Sequence, residues 1–123
     1  MANDFKRFTA QSVSDNSGAS GDVVYTVPAG SDSSALESIV IGISISNKTA
    51  SDTTAEIFLD SYSGSGDDAY IVKGISIPAN TSVELMSGNK IVLQNNGTTG
   101  DILKASSGTA SALDVVVSVL EDV

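Results

Sequence analysis

From Ile39 to Ile45 an isoleucine stands at every second position, with Val40, Gly42 and Ser44 between them. A spacing of two places alternate side chains on opposite faces of an extended strand, so one face is expected to be buried and the other to carry the small residues. The same economy recurs along the chain. Short runs rich in Val, Ile and Thr (Val23–Val27, Thr53–Asp60, Tyr70–Ile77, Lys90–Gln94, Asp101–Ser106, Ala112–Glu121) are cut by Gly, Ser, Asn and Asp. Such runs suit a pleated sheet, and the β-branched content together with the turn frequency excludes a helical fold. About eight or nine strands at intervals of roughly 8–12 residues predict an all-β antiparallel β-sandwich, jelly-roll or immunoglobulin-like Greek key.

The 123 residues suit a single domain. Residues 1–22 read as an N-terminal arm and polar linker, and 23–123 as one β-sandwich domain. The linker, Gln11–Asp22, offers little apolar surface to offset the entropy of ordering it. Val27-Pro28-Ala29-Gly30-Ser31 is echoed by Ile77-Pro78-Ala79-Asn80-Thr81, which fits equivalent corners of two Greek-key halves or ordinary turn chemistry. Gly74 inside strand-like sequence predicts a bulge or bend. Ser82–Met86 and Lys90–Gln94, joined by Ser87-Gly88-Asn89, read as a hairpin, and the last strand is long and central.

Aromatic residues make up only 5% of the chain, so the core must be aliphatic. The chain has no His, no Cys and no Trp. Without imidazole or thiol there are few routes to acid–base or nucleophilic chemistry near neutral pH, and no thiolate metal site or disulfide. A serine nucleophile lacks its usual base and no Gly-x-Ser-x-Gly elbow is present; Ser63-Gly64-Ser65-Gly66 is a loop with no following Lys-Ser/Thr. Glu56, Asp60, Asp67, Asp68 and Glu84 are the carboxylates to weigh as a glycosidase pair, but the aromatic lining that holds a sugar is missing. Asp60, Asp67 and Asp68 are also the candidates for a Ca²⁺ loop, without EF-hand spacing. Asn47, Asn80 and Asn96 begin glycosylation sequons that read as turn asparagines. The expectation is a non-enzymatic protein that needs no cofactor.

Fifteen acidic against six basic side chains give a net charge of −9. Phosphate backbones are held by clustered Lys and Arg, so nucleic acid is not an expected partner. The first residues carry no apolar signal segment and no run approaches the roughly 20 apolar residues that span a bilayer, so synthesis in a cytoplasm and no membrane partner are expected. Against this acidic background Phe5, Lys6, Arg7 and Phe8 stand together. Aromatic residues and Arg favour interface centres, so these four are the candidate interaction residues; the other reading packs Phe5 and Phe8 onto the chain's own sandwich as a first strand.

The succession Tyr25-Thr26-Val27-Pro28-Ala29-Gly30, Ile39–Asn47, Tyr70–Ala79, Ser82-Val83-Glu84-Leu85 and Ala112–Glu121 resembles small virion structural proteins of tailed bacteriophages, particularly marine cyanobacterial phages. The likeness covers about residues 23–121 and is one of strands and turns rather than of active residues. It implies a sandwich that decorates or cements a capsid, or serves as a neck, tail or fibre adaptor, and carries Lys73 and Glu84 only as sheet or rim positions. Its implied location is the virion and its implied partners are the major capsid protein or another virion protein, and further copies of itself in a symmetric homo-oligomer, with a trimer suited to local threefold axes. A carbohydrate-binding sandwich for host adhesion is the rival from another class, disfavoured by the lack of Trp.

Overall fold

The computed structural model describes residues 3–86 and 90–122. It contains nine strands: β1 (Asn3–Ala10), β2 (Asp22–Thr26), β3 (Leu36–Asn47), β4 (Thr53–Asp60), β5 (Ala69–Ile77), β6 (Ser82–Glu84), β7 (Ile91–Asn95), β8 (Ile102–Ser107) and β9 (Leu113–Asp122). One antiparallel sheet has the order β1-β9-β3 with β6 and β7 both on the far edge of β3; the other has the order β2-β8-β4-β5. Among the described residues no helix is long and apolar enough to cross a membrane.

The pairing decides between the two sandwich topologies. With β6 and β7 taken as one interrupted strand, β1 pairs with β9, β2 with β8, β3 with β6/β7 and β4 with β5. That is a single long antiparallel ribbon, first with last and innermost with innermost. Rolling it up adds only the β3–β9 and β4–β8 pairs, which gives the strand order of a jelly roll. The long last strand is central, as its uninterrupted alternation predicted.

The core lies between the sheets and is aliphatic: Val40, Ile43 and Ile45 of β3 face Ile57 of β4 and Leu103 of β8, all at most 1% exposed. Each such side chain contributes roughly 1.5–3 kcal/mol on burial. The alternation in β3, however, changes phase. Leu36, Ser38 and Val40 point inward in the first half, Ile43, Ile45 and Asn47 in the second. Val40 pairs with Val119 and Gly42 with Ser118, so Ile41 is an extra residue on β3 and forms a β-bulge. Ile39 and Ile41 therefore do not share the buried face of Ile43 and Ile45, which corrects the reading from spacing alone. Ile41→Thr is expected to change stability by less than about 1 kcal/mol in urea denaturation; a loss of several would return Ile41 to the core.

β6 and β7 are not a hairpin. They follow one another along β3, opposite Ser44–Ser46 and Leu36–Val40. Between them the Glu84 carboxylate accepts the Ile43 N–H at 2.9 Å and the Met86 N–H at 3.2 Å. The expected Ser87-Gly88-Asn89 turn lies outside the described residues. Gly74, at φ +72°, is the extra residue between Ile75 and Lys73, so the bulge expected there is present.

Residues 11–21 are not a loose tether. Val13 is fully buried and its backbone bonds to Leu113 and Ser111, while the Ser107 N–H donates to the Ser14 carbonyl. One valine and these backbone bonds supply what the polar composition lacked. The Ser12 N–H donates to Asp114 Oδ1 at 2.8 Å and, with Lys48 at 3.0 Å, holds the Asp114 carboxyl below its ordinary range. That contribution is present above the ordinary carboxylate pKa and is lost as pH falls through the lowered value.

The repeated apolar-Pro-Ala motif marks matching corners. The Val27 carbonyl accepts from Asn95 Nδ2 at 2.8 Å and the Ile77 carbonyl accepts from Asn47 Nδ2 at 3.0 Å. Both carbonyls leave an edge strand of the same sheet, and each is satisfied by a buried asparagine from the opposite one.

Candidate interaction surface

The segment expected as an arm is the first strand of the sandwich. All eight of its residues, Asn3 to Ala10, pair in order with Asp122 to Val115 of β9. Pleating then divides the four candidate residues by parity. Lys6 and Phe8 lie opposite the inward Val119 and Val117, whereas Phe5 and Arg7 lie opposite Leu120 and Ser118 on the outer face.

The inward pair ties the strand to its own core. Phe8 packs on Tyr25 with ring centroids 4.5 Å apart. Lys6 Nζ lies 2.9 Å from Glu121 Oε1, and Glu121 is only 1% exposed. The Tyr25 hydroxyl, with its single proton, donates to Glu121 Oε2 at 2.6 Å and lies 3.0 Å from Ser38 Oγ. The cluster thus joins β1, β9 and β3 of one sheet to β2 of the other. The hydrogen bond and charge of Glu121 raise the Lys6 pKa. Burial first, and the Glu121 bond second, raises that of Tyr25.

The outward pair sits on a different kind of surface. Phe5 is opposite Leu120, Leu120 opposite Ile39, and Ile39 opposite Val92, one apolar residue from each of β1, β9, β3 and β7. Directly opposed residues share a face, so these four form a row straight across the sheet on its solvent side. Phe5 is 76% and Val92 57% exposed, and Leu120 and Ile39 are half-buried between them. The bulged Ile41 stands beside the row at 38% exposure. Arg7, Glu37 and Gln94 are polar neighbours on the same face, two residues away along their strands. Three of the large apolar side chains exposed among the described residues, Phe5, Ile41 and Val92, therefore fall on one sheet face, and adjacency of this kind marks contact surfaces where scattered apolar residues do not.

The carboxylates weighed for catalysis or cation binding are each engaged by other groups of the chain. Asp60 pairs with Lys104 at 2.8 Å, the Ser61 N–H donates to Asp68 at 2.7 Å, and the Ser63 hydroxyl donates to Asp67. Among the described residues no three acidic side chains come together as metal ligands. Glu56 lines a cavity of about 250 Å³ with Asp15, Ser17, Lys73 and Ser106. Its Oε2 accepts the Gly18 N–H at 2.6 Å and the Ser106 hydroxyl at 3.2 Å, which fastens the 11–21 crossover to β4 and β8. Lys73 also lies over the Tyr70 ring at 4.6 Å. Asn47 and Asn96 accept N–H groups two and three residues on, as turn asparagines do, and Asn80 sits at φ +56°.

Glu121, Leu120, Ile39 and Val92 were not singled out from sequence as partners of Phe5 and Lys6. One signal was available: Glu121 continues the inward parity of Val115, Val117 and Val119, and an acidic residue at a core position calls for a partner. The row itself had none, because it depends on which strands are neighbours. Comparison with protein-family models, with curated proteins and with solved structures gives no match.

Proposed function

We propose that this chain is a non-enzymatic structural protein of a tailed-phage particle, a capsid decoration or cement protein that attaches through the outer face of the β1-β9-β3-β7 sheet to the major capsid protein or another virion protein. The observation that carries the reading is the Phe5–Leu120–Ile39–Val92 row: aromatic and aliphatic side chains in adjacent exposure, with polar residues beside them, have the anatomy of an interface centre and its rim. The resemblance to virion proteins supplies the setting, and jelly rolls are used widely in viral shells, although the fold alone assigns no function. A stable contact needs about 800 Å² from each partner, so the face as a whole, not the row alone, must be covered. The acidic surface suits a protein displayed in many copies and disfavours contact with packaged nucleic acid.

The test is retention on purified particles. Wild-type chain is expected in hundreds of copies per particle, and Phe5→Asp, which places a charge at the most exposed end of the row without entering the core, is expected to fold normally and be lost from particles. Equal retention of Phe5→Asp would remove the face from the argument. A handful of copies would move the protein to the neck or tail, and absence of the wild type would end the virion reading.

A further inference from the structure

The unpaired edge of β1 differs from the other edges of the sandwich. β2 is interrupted by a bulge at Val24, β5 by two bulges, and β6 and β7 are three and five residues long. Short and bulged edges are the usual protection against strand addition. β1 is neither short nor bulged: eight residues pair with β9 without a register shift, and among the described residues its backbone bonds to no other segment; its guard is charge alone, Asp4, Lys6 and Arg7, which admits only a partner whose charges match. Asp4, Phe5, Lys6 and Arg7 along it are all exposed.

The charges on this edge are unbalanced in a specific way. Asp4 lies directly opposite Glu121 of its own chain, a like-charged pair, while the nearby cation Lys6 is bonded to Glu121. Asp4 thus makes no salt bridge of its own among the described residues, although Lys6, two residues on, attracts it.

We propose that a second copy of this chain adds to that edge, β1 against β1 in antiparallel fashion about a two-fold axis at Phe5. Outer-face residues must oppose outer-face residues, so only registers that match parity are allowed. Centring on Asp4, Lys6 or Arg7 sets that charged residue against its own copy. Centring on Phe5 sets ring against ring, and Asp4 against Lys6 of the second copy on both sides of the axis. It adds a cation directly opposite Asp4, one that can share its charge between Asp4 and the Glu121 of its own chain, and both aromatic and opposite-charge pairs stabilise such ladders. The two sheets become continuous, and the apolar rows join end to end into one band of eight residues with the two Phe5 rings at its middle. An antiparallel strand pair is isologous and closes at two copies, so the assembly unit is a dimer rather than the trimer expected from capsid geometry. The pairing does not depend on what surface the band covers.

Intermolecular crosslinking of single-cysteine variants tests both the contact and its register, since the chain has no other cysteine. Opposed residues have Cβ atoms about 4.5–5.5 Å apart. Phe5→Cys is therefore expected to give a covalent dimer with a short thiol-to-thiol reagent, and Arg7→Cys at least tenfold less. Sedimentation of the wild type is expected to give twice the chain mass, and Asp4→Lys to weaken association at least tenfold while leaving the circular dichroism unchanged. A wild type monomeric across the concentration series would overturn the proposal. So would a dimer that crosslinks through Arg7→Cys but not Phe5→Cys, or one indifferent to Asp4→Lys.

Discussion

Gly97→Ala is expected to cost about 3–5 kcal/mol, a large part of the stability of a domain this size. Gly97 holds φ +100°, and a Cβ there would overlap the Ser33 carbonyl oxygen, a backbone atom that no rotamer change can move. The loop has little room to shift. The Gly97 N–H donates to Asn95 Oδ1 at 2.7 Å, the Thr98 and Thr99 N–H groups both donate to Asn96 Oδ1 at 2.9 Å, and Asn95 is itself committed to Val27. Relief of the clash would have to break the corner that joins β2, β7 and β8. Gly66 is the control, since it is exposed and a Cβ there would meet nothing within 4 Å, and Gly66→Ala is expected within about 0.5 kcal/mol of wild type. Urea denaturation of the two variants separates the outcomes. A loss below about 1 kcal/mol at position 97 would mean that the corner is not tightly built.

The second large effect is expected at Glu121. Glu121→Leu should cost about 1.5–3 kcal/mol, because the buried Tyr25 hydroxyl loses its charged acceptor whereas Lys6, half in solvent, can turn to water. Tyr25→Phe should cost about 1.5–3 kcal/mol through the charge-assisted bond alone. The double variant should cost less than the sum, since both remove one interaction. Hydrogen exchange gives the consequence for the first strand: in Glu121→Leu the amides of β1 should exchange well before those of β3 and β9. Alkaline pH probes the same cluster. Tyr25 and Lys6 both keep their protons above their ordinary values in the folded chain. Stability from both is fully present below about pH 10 and declines as pH rises through the raised values, and the decline should be shallower in Tyr25→Phe. A pH-independent stability between about pH 9 and 12 would contradict this placement of the two groups.

Much of the fold follows from local pattern, and the departures have identifiable causes. Val115, Val117 and Val119 alternate cleanly with less buried residues, and that strand was legible from end to end. β3 was not, because Val40 is apolar as well as its isoleucine neighbours, so a one-residue phase change leaves no trace in composition; only the register with β9 reveals it. β1 was legible only as one of two readings, arm or first strand, because its inward positions include Asp4, Lys6 and Phe8 rather than an aliphatic set, and Lys6 is admitted there by a carboxylate far away in the chain, on the last strand. The polar stretch 11–21 looked unable to order itself, and a single valine with backbone bonds on both sides proved sufficient. Of the candidate site, Phe5 was visible as an aromatic residue out of place in an acidic chain. Its neighbours Leu120, Ile39 and Val92 come from three distant segments, and nothing short of strand order could have gathered them.

The central claim is that the β1-β9-β3-β7 face is the surface by which the chain joins a particle. Cryo-electron microscopy of intact virions tests it most directly, by placing the jelly roll in density. The account expects regular copies over the capsid with the Phe5–Val92 row turned toward the shell or a neighbouring subunit. Copies held through the opposite β2-β8-β4-β5 sheet with the row left in solvent, or particles without the protein, would contradict it.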